Sequence, residues 1–175
     1  MPNWCQNSIV IDGDKESLSR FIASITTDTE LDFTRLVPRP ADKEEDWYNW
    51  SYDNWGVKWS PSDIYVEDET ETSASFSFLS AWGAPAELFA TIAKLFPALD
   101  FILAYSESGM CFCGAIKWAK GELYNECHIS NYTEDPRYEA LVAEKKDDDE
   151  RYSFYDEVCD LENTIRDECL TAVGG

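Results

Sequence analysis

The sequence predicts an α+β fold of ferredoxin-like type: a β-α-β-β-α-β antiparallel sheet with two helices on one face, followed by an acidic helical C-terminal extension. Three observations predict it. Two amphipathic helices are each entered from a strand, two alternating segments flank a short acidic turn between them, and the composition shifts sharply near Glu122.

The first strand is "CQNSIVID" (5–12), an apolar run closed by a Gly-Asp turn. Asp14 is placed to cap a helix over "KESLSRFIASIT", where Leu18, Phe21, Ile22 and Ile25 follow the i, i+3, i+4, i+7 spacing of one buried face. "ELDFTRLVPRP" then reads as an extended segment ended by prolines. After it comes "WYNWSYDNWGVKW" (47–59), which holds four of the seven tryptophans and is read as part of an aromatic and acidic insertion at about 40–60. Within it, Trp55 and Trp59 are expected to pack on the core, and Gly56 to let the chain turn. Trp47, Tyr48 and Trp50 are the candidates for touching a partner, because large aromatics ringed by acids resemble the anchors of protein interfaces.

"SDIYVEDET" and "TSASFSFLSAW" alternate with strand period, Ile64 and Val66 opposing Tyr65 and Glu67, so "EDETET" is a hairpin tip. "GAPAELFATIAKLFPALD" follows as a helix with Pro85 in its first turn and an apolar stripe of Leu88, Phe89, Ile92, Leu95 and Phe96 that Pro97 ends. "LDFILAYSESG" and "MCFCGAIKWAKGEL" are two further strands. These elements define a domain over 1–123 and leave 124–175 as an acidic extension packed on it. In the extension, "DPRYEALVAEKK" reads as a short helix. "FYDEVCDLENTIRDECL" reads as a longer one, docking through Phe154, Val158, Leu161, Ile165 and Cys169 and turning Asp156, Glu157, Asp160, Glu162, Asp167 and Glu168 to solvent. "KKDDDER" between them is an exposed turn that lacks the glycine and ligand alternation of a calcium loop.

Charge narrows the function. There are 35 acids against 14 bases, a net of −21, and residues 122–175 alone hold sixteen acids and five bases. Direct binding to nucleic acid or to an anionic membrane is excluded, because phosphate neutralisation needs basic patches. Exposed aromatics on a sheet can stack single-stranded RNA, but residues 40–72 carry ten acids and two bases, which repel a phosphate chain. No run of eighteen apolar residues occurs, and the start "MPNWCQN" has no secretory pattern, so the protein is expected to be soluble and cytoplasmic.

Nothing catalytic stands out. The glycines are scattered, and the single histidine, His128, sits in a polar stretch read as an exposed loop. The six cysteines are taken as free, mostly buried thiols of a reducing compartment. "CFC" (111–113) with Cys127 and His128 offers metal ligands on paper. However, a C-x-C on a strand points both thiols to one face as packing residues, so no metal and no cofactor is expected.

"MPNWCQNSIVIDG", "LDFTRLVPRP", "YDNWGVKWSPSD", "FSFLSAWGAP" and "SGMCFCGAIKW", in this order, resemble the YubB-type ferredoxin-like family of bacterial plasmids and phages over residues 1 to about 123. The resemblance implies a ferredoxin-like domain and a mobile-element accessory protein in the bacterial cytoplasm. It implies no chemistry, and the acidic tail lies outside the pattern.

The expected function is therefore non-enzymatic: an inhibitor of a host defence nuclease complex, of anti-CRISPR or anti-restriction type, whose acids imitate DNA in the basic channel of a nucleic-acid-binding protein. The residues expected to carry it are Asp147, Asp148, Asp149, Glu150, Asp156, Glu157 and Asp160 of the tail, with Glu67, Asp68, Glu69 and Glu71 of the hairpin as a second patch. The alternative is an accessory protein that binds or regulates another protein, its acidity serving only solubility.

Overall fold

A computed structural model of the chain describes residues 3–28, 30–144 and 151–174. Within them six strands form one antiparallel sheet: β1 (Trp4–Gly13), β2 (Ser62–Glu69), β3 (Ser73–Ala81), β4 (Leu99–Glu107), β5 (Phe112–Ala119) and β6 (Glu122–Ile129), in the spatial order β2-β3-β1-β4-β5-β6. Among the described residues five α-helices accompany them: α1 (Lys15–Ile25), α2 (Trp47–Trp55), α3 (Ala86–Leu95), α4 (Pro136–Glu144) and α5 (Arg151–Val173).

Alternation along the strands divides the sheet into two faces. Ile9 and Ile11 of β1, Phe76 and Phe78 of β3, and Phe101 and Leu103 of β4 share one face with Leu18, Phe21 and Ile25 of α1 and Leu88, Phe89 and Ile92 of α3. Asp14 starts α1 as its spacing predicts, its carboxylate accepting the Ser17 N–H at 2.9 Å. At the centre of this layer Phe33 is fully buried, with ring centroids 5.1 Å from Phe89, 5.3 Å from Phe78 and 5.8 Å from Phe76. The segment around Phe33, expected to be extended, is a 3₁₀ turn over Phe33–Leu36 whose entry Asp32 caps by accepting the Thr34 N–H. Leu95 departs from the expected stripe of α3: it closes the helix on the outer side and is exposed.

The opposite face is covered over β4, β5 and β6 by α5. Ile102 and Ala115 pack on Cys169 and Val173, while Cys113 and Tyr132 pack on Leu161 and Ile165. Strand β4 is consequently buried on both sides, which is why "FILAY" reads as a continuous apolar run and not as an alternation. The other half of this face, over β1, β3 and β2, carries the cross-strand row Ser8, Ser77 and Tyr65. Glu162, expected on the solvent side of α5, is buried instead. It sits four residues after Val158 and three before Ile165, within the docking stripe, and both its oxygens are hydrogen-bonded.

Two further expectations are revised. The boundary placed near residue 123 falls inside β6, which pairs with β5 from Ala119↔Glu122 to Cys113↔Ile129, so the sheet runs on into the acidic third of the chain. The six cysteines are not all free: Cys127 of β6 and Cys169 of α5 form a disulfide with Cα atoms 5.2 Å apart, tying the helix to the edge strand. Cys5, Cys111, Cys113 and Cys159 are free thiols.

Candidate partner-binding surface

Residues 41–49 are all exposed, and within them Asp42, Glu44, Glu45 and Asp46 lead directly into α2. The segment expected to be an irregular insertion is thus partly helical. Asn49 holds its start by donating to the Asp46 carboxylate at 2.6 Å. Gly56 ends it in the left-handed conformation at φ 76°, its N–H reaching the Tyr52 carbonyl at 3.0 Å, a geometry that disfavours any residue with a Cβ.

The helix sorts its aromatics by side. Trp55 is buried and donates its indole N–H to the Val37 carbonyl at 2.9 Å. Trp50, a candidate for partner contact, is half-buried and packs edge-on against Trp55 with centroids 5.2 Å apart; it belongs to the fold because it lies on the inward side of α2. Trp47 and Tyr48 remain 38% and 47% exposed, as the candidates for contact require. Trp59, expected in the core, is only half-buried.

Exposed and half-buried rings together form a track. Trp4 of β1 meets Trp59 edge-on at 6.4 Å, and Lys58 lies with its ammonium 4.9 Å from the Trp59 ring and 5.9 Å from the Tyr48 ring. Tyr48 continues to Trp47 at 5.7 Å and to Tyr52 at 4.9 Å. Partial burial, and then the Tyr48 hydroxyl, push the Tyr52 phenol up, so it stays a neutral donor. Trp82 follows Ala81, the register partner of Trp4. It is held at φ 70° with its N–H on the Asn3 carbonyl at 2.9 Å, and its side chain is exposed. A bulky residue in the left-handed region is uncommon and marks a place where the surroundings dictate the direction of the side chain. The missed members, Trp4 and Lys58, are far apart in sequence and meet only through Trp59, while the pairing of β1 with β3 sets the Trp82 backbone beside that of Trp4.

The acidic candidates are distributed differently. Glu67, Asp68, Glu69 and Glu71 are all exposed, Glu67 accepting from the Ser77 hydroxyl and Glu71 pairing with Lys15. They lie at the end of the sheet where the Thr72 carbonyl receives the Gly13 N–H. Asp156 and Asp160 are exposed and Glu157 half-buried on the first turns of α5, whose neighbours Val158 and Glu162 adjoin Ser108 and Cys111, at the other end of the sheet. The two patches are therefore not brought together. Asp147, Asp148, Asp149 and Glu150 lie outside the described residues.

The polar groups most suited to chemistry are otherwise engaged. Burial pushes the Cys5 thiol up to about 12 and the Cys113 thiol up to about 11, far from the range of a nucleophile at neutral pH. His128 is on strand β6, not in a loop, and shares a 3.0 Å hydrogen bond with the Tyr105 hydroxyl. That bond is possible because Gly114 lies between them in the strand row; a Cβ there would come within 2.5 Å of the Tyr105 oxygen. Among the described residues no three His, Cys, Asp or Glu side chains are grouped to hold a metal ion. No helix among them is long and apolar enough to cross a membrane.

Comparison with known proteins places the fold. No curated protein matches the chain. The crystal structure of protein api92 from Yersinia pseudotuberculosis superposes with a TM-score of 0.57 at 10% identity, over 74% of this chain and 98% of that one, a likeness of fold alone. The model of a family described as the ferredoxin-like domain in Api92-like protein matches residues 54–156, which takes in β6, α4 and the first turns of α5 and so extends past the point where the acidic tail was set apart. With more than half its length matched in this way, the chain belongs to the family of ferredoxin-like domains of Api92-like proteins.

Proposed function

We propose that the chain is a non-catalytic binding protein whose partner is a basic, nucleic-acid-binding protein. The observation that carries this is the track of exposed Trp4, Tyr48 and Trp47 with half-buried Lys58 and Trp59, bordered by the exposed acids Asp42, Glu44, Glu45, Asp46 and Asp53. Arginine is the side chain such a surface suits best: its guanidinium stacks on aromatic faces while its N–H groups pair with carboxylates. The net charge of −21 steers a basic partner towards the surface and repels free nucleic acid.

The finer form of this proposal is an inhibitor of a bacterial defence nuclease, of anti-CRISPR or anti-restriction type. It would be carried by a plasmid or phage of the YubB-type group and act in the cytoplasm, with the hairpin and α5 acids occupying sites that normally hold phosphates. The separation of those two patches favours the aromatic track as the primary contact, with the acids in a steering role. The test is capture of defence nucleases by the tagged chain at low and high salt, against a Trp47→Ala/Tyr48→Ala variant and an Asp42→Lys/Glu45→Lys variant. Binding is expected to weaken with salt and to fall by about tenfold or more in the ring variant. Partners that are not basic nucleic-acid-binding proteins, or capture that both variants leave unchanged, would defeat the proposal.

A further inference from the structure

A cavity of about 230 Å³ lies where α4, α5 and the turn between β4 and β5 meet, remote from the tryptophan track. Its walls include four aromatic side chains, Tyr132, Tyr138, Phe154 and Tyr155, and one carboxylate, Glu162. The rings come in two inclined pairs: Tyr132 and Tyr138 with centroids 6.5 Å apart at 56°, and Phe154 and Tyr155 at 6.1 Å and 59°. Tyr155 and Cys159 are exposed, so the cavity reaches the surface between them.

Glu162 is only 6% exposed. Its two oxygens accept O–H groups, from Tyr132 at 2.7 Å and from Ser108 at 3.1 Å. Burial, and then the hydrogen bond to Glu162, push the Tyr132 phenol far up, so it stays a donor. None of the ion pairs among the described residues includes Glu162. A carboxylate withdrawn from water with two neutral donors and no ion-pair partner among the described residues is only partly compensated, and a positive charge placed beside it gains more than it would at the surface.

We propose that this cavity binds a small alkylated ammonium ion of the choline type. Aromatic rings attract a cation through their electron-rich faces, and the methyl groups of such an ion are themselves apolar. It asks the walls for few hydrogen-bond acceptors, and among the described residues Glu162 is the one carboxylate lining the space. A primary ammonium would need three acceptors, whereas the remaining lining is largely rings and Val158. At roughly 30 Å³ for each water-sized group, the space holds about seven such groups, the size of choline.

The experiment is an NMR titration of the full chain with choline chloride against sodium chloride at matched ionic strength, and with neohexyl alcohol, the uncharged carbon isostere. Choline is expected to shift the amides of Val158 and Cys159 saturably, and the alcohol to bind about tenfold more weakly. Glu162→Gln should weaken choline by about tenfold while leaving the alcohol unchanged. Tyr138→Leu, at a half-buried position on α4, should weaken choline without depending on the buried carboxylate, and it keeps the test decisive if Glu162→Gln does not fold. The absence of saturable shifts with choline, equal binding of the alcohol, or choline binding that Tyr138→Leu leaves intact would overturn the proposal.

Discussion

Reducing the bond between Cys127 and Cys169 should destabilise the protein by an amount set by the loop it closes. The two residues are 42 apart in sequence. The chain-entropy relation for a closed loop of that size gives roughly 13 cal/mol/K, or about 4 kcal/mol at room temperature, as the freedom removed from the unfolded chain. Residual structure in the unfolded state reduces this, so about 2–4 kcal/mol is the expected loss. The assay is urea unfolding with and without dithiothreitol. With a urea dependence of roughly 2 kcal/mol/M for a chain of this size, the midpoint should fall by about 1–2 M on reduction. A thiol count under denaturing conditions accompanies it, with four free cysteines before reduction and the Cys127 and Cys169 thiols added after it. In the Cys127→Ala/Cys169→Ala chain the reductant should change nothing. Coincident midpoints for the parent with and without reductant, or a reductant effect that persists in the double variant, would refute the reasoning.

Phe33→Ala should cost about 3–5 kcal/mol in the same urea assay, because Phe33 is fully buried among the rings of Phe76, Phe78 and Phe89 and none of them can close the space alone; a loss under about 1 kcal/mol would contradict this packing. Arg137 joins α4 to α5 by two bonds to Glu168, at 2.7 and 2.9 Å, and also binds Asp135. Its guanidinium holds both carboxylates below their usual range, so their contribution is full above the unfolded pKa values of about 4 and is lost as pH falls through the lower folded values. The stability difference between the parent and Arg137→Gln should be flat from about pH 7 to 5 and shrink as pH falls below about 4; a difference that widens in acid would be inconsistent with this sign.

The parts of the fold legible in the sequence are those where one face is apolar and the other is not. Asp14 and the Leu18, Phe21, Ile25 spacing specify α1 locally, and the Ala74, Phe76, Phe78 alternation specifies β3. Helix α2 was not legible because its aromatics, at 47, 48, 50, 52 and 55, surround the helix and leave no single stripe; only Gly56 signalled its end. Strand β6 is an edge whose residues are mostly exposed, with Cys127 and Ile129 partly buried, so "ELYNECHI" has the composition of a loop. Of the proposed contact surface, Trp47 and Tyr48 were visible as exposed anchors, whereas Trp4 and Lys58 join them only through tertiary geometry. Glu162 could have been found by noticing that a carboxylate occupies a docking position between Val158 and Ile165, but helical phase alone cannot foretell the Tyr132 and Ser108 hydroxyls that make its burial tolerable.

The placement of α5 also sets an order of events during synthesis. Ile102, Ala115 and Cys127 are all made well before the helix that covers them, since Cys169 follows Cys127 by 42 residues. At roughly 5–20 residues per second, the apolar half of the sheet waits about 2–8 s for its cover. During that interval β6 presents an open edge beside an uncovered apolar strip, the combination most prone to pairing with another nascent chain. The abundant negative charge of β6 and the residues after it, Glu122, Glu126, Glu134 and Asp135 among them, is synthesised before Cys169, so mutual repulsion between neighbouring nascent chains is in place before the cover arrives.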